Sequence, residues 1–139
     1  MKLSTRSRYG TRIILELARH NDGEPLQVSA IAKVQKIPVK YLEQLIRTLK
    51  QEKLITSVRG SKGGHLLTRQ PDQISIGSIV RMFEGQTELV ECTSAPEKCH
   101  MADECRVRHV WSEATSALYS KLDSVTIADL LHDAPEQIR

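Results

Sequence analysis

The sequence predicts an α+β chain that is mostly α, and three observations carry that reading. Apolar residues recur at three-and-four spacing over most of the 139 residues. One short stretch, RGSKGG, breaks the pattern between two runs of strand-forming residues. A second helical stripe then runs from Val107 to Val125. With hydrophobic residues at 40% and only one Phe, one Trp and three Tyr, the core is expected to be aliphatic.

The elements follow in order. Ser4 is placed to cap a helix running to about His20, with Tyr9, Ile13, Ile14, Leu17 and Ala18 on one face. NDGEP reads as a turn, because Asn21 and Asp22 bond their own backbone, Gly23 tolerates positive φ and Pro25 resists helix. Val28, Ile31, Ala32 and Val34 mark a helix of about two turns. PVKYLEQLIRTLKQEK opens with Pro38, suited to a first helical turn. Its apolar face is expected to be Val39, Leu42, Ile46 and Leu49, with Leu45 at the border. Lys40, Tyr41, Glu43, Gln44, Arg47 and Lys50 lie opposite. Strands over 54–58 and 65–68 flank RGSKGG, where Gly60, Gly63 and Gly64 are expected to supply positive backbone angles for a hairpin. After Pro71, ISIGSIVRMFEG is a short helix ending at Gly85. An irregular cysteine segment follows. From about Arg106 a long helix carries Val107, Val110, Trp111, Ala114, Leu118, Leu122 and Val125 on one side. TIADLLHD gives a last helix capped by Thr126, and the end is polar.

Charge separates the chain into halves. Residues 1–69 hold 14 Lys and Arg against 5 Asp and Glu, a balance of +9, whereas residues 70–139 hold 6 against 12, a balance of −6. The first half has the electrostatics of a polyanion-binding surface. Three short helices followed by a basic, glycine-tipped hairpin is the order of a winged helix-turn-helix. The third helix is then the reader. Lys40 and Arg47 suit phosphate or guanine, Gln44 adenine, Glu43 cytosine, and the Tyr41 hydroxyl a phosphate. At the hairpin tip Arg59 suits a narrow minor groove, with Ser61 beside Lys62, which suits phosphate. Taken singly, the third helix is an ordinary amphipathic surface helix and RGSKGG a solvated turn. Order, spacing and charge together favour double-stranded DNA. RGSKGG lacks the rest of a Walker-type pattern.

The cysteines, Cys92, Cys99 and Cys105, are separated by six and then five residues. The start of the chain shows no signal-peptide pattern and no membrane span is evident. An odd cysteine count without an export signal argues for a reducing, cytoplasmic setting, where clustered thiols bind metal or sense redox state. Three readings stand: an iron–sulfur cluster, 2Fe–2S or 4Fe–4S; zinc on three Cys and one His, for which the spacings are long; and cluster-free thiols. A fourth protein ligand has local candidates in His100 and His109, with Glu91, Asp103 and Glu104 also in reach. Lys98, Arg106 and Arg108 favour thiolates.

The blocks MKLSTRSRYGTRIILELA, IPVKYLEQLIRTLKQEKLITSVRGSKGGHLLTR and ISIGSIVRMFEG, with the triple-cysteine segment before VW, resemble the IscR and NsrR family of bacterial winged-helix regulators. The resemblance covers Lys2 to about Leu122. It implies a homodimer, a long C-terminal dimerisation helix, DNA recognition by the third helix and wing, and a cluster on the three cysteines in many members. IscR-like relatives take a fourth ligand from a His three residues after the last cysteine, where this chain has Arg108. NsrR-like relatives take it from an Asp near the start of the partner chain, where this chain has Arg8. The expected organisation is a winged helix-turn-helix domain at 1–85, a cysteine-bearing cluster or sensor loop at 86–105, and a dimerisation helix with C-terminal tail at 106–139. The expected function is a cytoplasmic, nucleoid-associated regulator binding an operator. A small iron–sulfur electron carrier is the rival of another class, and it requires neither the basic half nor the hairpin. An enzyme finds little support: there is no catalytic triad pattern or dinucleotide fingerprint, and His65 reads as a packing or surface histidine.

Overall fold

Capping residues set the ends of most helices. In the computed structural model, which describes residues 2–85 and 87–132, α1 spans Thr5–Arg19, and the Ser4 hydroxyl accepts the Ser7 N–H at 3.2 Å. Ile13, Ile14 and Leu17 line its buried side at helical spacing. α2 (Val28–Gln35) ends at Lys36, which takes the left-handed conformation with φ 54°. That single residue reverses the chain into α3 (Val39–Gln51), with Pro38 at the N-cap position rather than inside the first turn. Strands β1 (Ile55–Val58) and β2 (Gly64–Leu67) pair antiparallel, Val58 opposite Gly64 and Ile55 opposite Leu67. α4 (Ile76–Glu84) is capped by the Ser75 hydroxyl on Ser78 N–H, and Gly85 (φ 74°) ends it. α5 spans Arg108–Ser124 and α6 Ile127–His132. At the start of α6, Thr126 and Asp129 exchange side-chain and backbone bonds, a reciprocal cap.

Side chains from α1, α2, α3, α4 and α6 meet in one aliphatic core, where Ile13, Ile31, Leu42, Leu49, Ile79 and Ile127 are fully buried. Burying branched aliphatics of this size contributes about 1.5–3 kcal/mol each relative to exposure. α6 reaches that core because the chain turns back after α5. Ile76 N–H donates to Val125 C=O, and Ile127 N–H to Ile74 C=O, both at 2.9 Å.

Several boundaries differ from expectation. Val39 is exposed and Leu45 is buried, the reverse of their expected places on the third helix, because the buried stripe runs through Leu42, Leu45, Ile46 and Leu49. Gly60 and Gly64 take positive φ but Gly63 does not; a Cβ on Gly63 would collide with the Val58 carbonyl. The long helix begins at Arg108, two residues later than expected. Single 3-10 turns at Pro71–Gln73, Glu91–Thr93 and Pro96–Lys98 were not expected. The polar end after His132, with Met1 and Gln86, lies outside the described residues.

Candidate nucleic-acid interface and cysteine loop

α3 presents Lys40, Glu43, Gln44, Arg47 and Lys50 to solvent along one side. None of Lys40, Arg47, Arg59 or Lys62 forms an ion pair with a described residue, so these charges are free for an anionic partner. Tyr41 differs from the others. It is half-buried, and its ring meets Tyr9 edge-on at 5.9 Å, packing α3 against α1. The ring thus does structural duty, and Tyr41 is not part of the fully exposed face.

The turn that aims α3 is held by a polar chain absent from the sequence expectations. Glu16 is only 3% exposed. Its carboxylate accepts Gln35 Nε2–H at 2.8 Å and lies 3.4 Å from Arg19 and 3.2 Å from His20 Nε2. Arg12 donates through Nε to Gln35 Oε1 at 2.9 Å and through Nη2 to the Gln35 carbonyl. The last residue of α2 is therefore fixed to α1 through both side chain and backbone. An acidic residue within an apolar stripe was the available signal, but its partner lies 19 residues away.

The wing is tied down in the same manner. Leu26 and His65 exchange backbone bonds of 3.0 and 2.9 Å, joining β2 to the α1–α2 connection. Gln27 Nε2 donates to the Ser61 carbonyl at 3.4 Å, and Gly63 N–H to Gly60 C=O at 3.0 Å. Arg59, Ser61 and Lys62 project at the exposed tip. Between α3 and β2 lies a groove of about 550 Å³ lined by residues including Glu43, Arg47, Lys50 and His65. Burial, and then the nearby Lys50 charge, hold His65 below the usual histidine range.

The cysteine loop joins α4 to α5. Thr93 Oγ1 donates to Val90 C=O, Arg108 Nε to Cys92 C=O at 3.0 Å, and Leu89 N–H to Thr115 Oγ1 on α5. Lys98 lies 3.6 Å from Glu91. Cys92, Cys99 and Cys105 are free and half-buried, while His100 and His109 are exposed. Thiols and imidazoles are the right donor types for a cluster or zinc. Nevertheless, among the described residues no three His, Cys, Asp or Glu side chains are grouped closely enough to hold a metal ion. The three thiols and two histidines are thus neighbours in sequence without forming a ligand set in this arrangement. Arg108, at one of the two positions where the family resemblance implies a fourth ligand, is engaged with the Cys92 backbone. Arg8, at the other, is exposed.

Helix, helix, turn, basic helix and basic wing define a DNA-binding transcription regulator of the winged-helix class. The family model described as "Rrf2: Iron-dependent Transcriptional regulator" matches residues 3–133, and the chain belongs to that family. It is 43% identical over 134 residues to Protein rrf2 of Nitratidesulfovibrio vulgaris, covering 96% of this chain and 89% of that one. It is 36% identical to the HTH-type transcriptional regulator CymR of Bacillus subtilis, over 94% of this chain and 89% of the relative. Among solved structures, T. potens IscR superposes with a TM-score of 0.79 at 34% identity, covering 100% of this chain and 92% of that one. The B. subtilis global cysteine regulator CymR gives 0.79 at 36% identity, with 94% and 95% covered. These relatives are transcription regulators, and the chain is not an enzyme. Among the described residues no helix is long and apolar enough to cross a membrane.

Proposed function

We propose that this regulator is a homodimer in which two α3 helices read two operator half-sites. In this reading residues 1–85 are the reading head, 86–105 the sensor loop and 106–139 the dimer helix with its tail. The observation carrying it is the outer side of α5. Val107 (48% exposed) at its N-cap, with Val110 (54%), Trp111 (40%) and Leu118 (36%) within it, leave large apolar groups in water. A second copy covers them, as a symmetric interface requires the same patch on both chains. Lys40 and Arg47 neutralise phosphate or read guanine, and Gln44 and Glu43 read base edges. Arg59 enters the minor groove, with Ser61 and Lys62 on the backbone.

The sensor is the loop carrying Cys92, Cys99 and Cys105, which would hold an iron–sulfur cluster of the 2Fe–2S or 4Fe–4S type. Such a group brings redox sensitivity to the loop when bound. Lys98, Arg106 and Arg108 offset the negative charge of the thiolates. Loop rearrangement would act on α5 through Arg108 and Thr115, which already bond the loop backbone. The dispersed thiols, together with the likeness to a cysteine regulator, favour a second reading in which the same cysteines act without a cluster. Anaerobic purification with an absorption spectrum and iron and sulfide content, repeated on Cys92→Ala, separates the two. Wild type is expected to be coloured, and Cys92→Ala to lose colour and iron. A colourless wild type that resists anaerobic reconstitution overturns the cluster. Equal operator affinity of loaded and stripped protein overturns the switch.

A further inference from the structure

The turn between α2 and α3 carries an apolar pair that neither the core nor the phosphate contacts use. Val34 is 59% exposed in the last turn of α2, and Val39 is 46% exposed as the first residue of α3. Lys33, Lys36 and Lys40 surround them in sequence and are all exposed. No Asp or Glu occurs between Glu24 and Glu43. A second copy of this surface would bring six lysines together, so the charge selects a polyanion that also offers an apolar group. Duplex DNA offers one in its major groove, the C5 methyl of thymine. The N-terminal residues of a recognition helix are those that reach base edges. Val39 lies one helical turn ahead of Glu43 and two ahead of Arg47, on the side of α3 assigned to the bases.

We infer that Val39 is a specificity-determining residue that packs against a thymine methyl in each operator half-site. The inference rests on the reading of α3 as the DNA reader and adds the kind of base it selects at one step. Lys40, the next residue, offers a cation to phosphate or guanine, whereas the isopropyl group of Val39 rewards an apolar neighbour such as a methyl. Burial of one methyl corresponds to about 0.8 kcal/mol, a factor of about four in affinity.

The test uses the full chain and synthetic unmethylated duplexes, so thymine is the sole source of a C5 methyl. The operator is first obtained by selection from random duplexes with wild type. Each thymine is then replaced singly by deoxyuridine, which pairs alike and lacks only the methyl. One replacement per half-site is expected to weaken wild type about fourfold and to leave Val39→Ala unaffected. Val39→Ala should keep the wild-type salt slope, which shows that the reading head and its phosphate contacts persist. If no deoxyuridine position weakens wild type, or if Val39→Ala responds to every replacement as wild type does, the inference is overturned while α3 reading stands. If wild type selects no common sequence and binding is insensitive to salt, the reading itself falls and the inference with it.

Discussion

Glu16 shows how a single residue fixes the turn that leads into α3. Its carboxylate sits within the apolar side of α1 and holds Gln35, whose amide and carbonyl both accept from Arg12. Glu16→Ala leaves the Gln35 amide without its acceptor, and a loss of about 1–3 kcal/mol is expected in urea unfolding. Glu84 makes a second tie, at the opposite end of α1. Its Oε1 accepts the Ser4 N–H at 2.7 Å and the Ser7 hydroxyl at 2.5 Å, and these bonds hold its carboxyl below the ordinary value of 4.5. A depressed folded value means stability that is present above pH 4.5 and lost as pH falls through the folded value. Thermal melts of wild type from pH 6 downward should therefore fall more steeply below about pH 4.5 than those of Glu84→Gln. A flat difference across that range would refute this role. Of these residue-scale features, the caps at Ser4 and Thr126 were legible, because a capping hydroxyl acts within three residues of itself; the Ser75 cap on α4 was missed. Glu16 and Glu84 were not legible, because their partners lie up to 80 residues away and no periodicity links them.

At the scale of elements, the amphipathic period located every helix, since a one-sided core imposes three-and-four spacing wherever a helix packs. The same logic misplaced Val39. Periodicity treats all turns alike, whereas the first turn of α3 projects past the core that buries Leu42 and Leu45. α3 and α5 carry the sharpest expectations. Arg47→Ala should weaken operator binding and lower the slope of log affinity against log salt by about 0.9. An unchanged slope would remove Arg47 from the phosphate contacts. Trp111→Asp places a charge within the outer stripe of α5. Analytical ultracentrifugation should then find a monomer with operator affinity reduced by orders of magnitude, while the far-ultraviolet spectrum stays that of wild type. A persistent dimer would move the interface elsewhere.

At the scale of the molecule, the basic first half and acidic second half were legible from composition, as was the position of the cysteine loop within the acidic half. The ligand set was not. Three thiols spaced by five or six residues along a loop converge only if the backbone turns them inward, and among the described residues they form no metal-holding group. Nor did the sequence disclose that α6 returns to the core built by α1–α4, where Ile127 is fully buried in one cluster with Ile74 and Ile79. A chain ending after Ser124 should accordingly lose about 2–5 kcal/mol, as a large core side chain is deleted. Truncation with unchanged stability would show that α6 is dispensable. The return of the chain also determines how α5 responds to load. Tyr119 and Asp123 are fastened to Thr87 and Arg81, and the following residues are stitched to Ile74 and Ile76. α5 is therefore a cantilever fixed at its C-terminal end, with its N-terminal half bonded to the cysteine loop. In the proposed dimer, the bending stiffness of α5, and not a hinge, would set how far a disturbance in the loop displaces the two α3 helices.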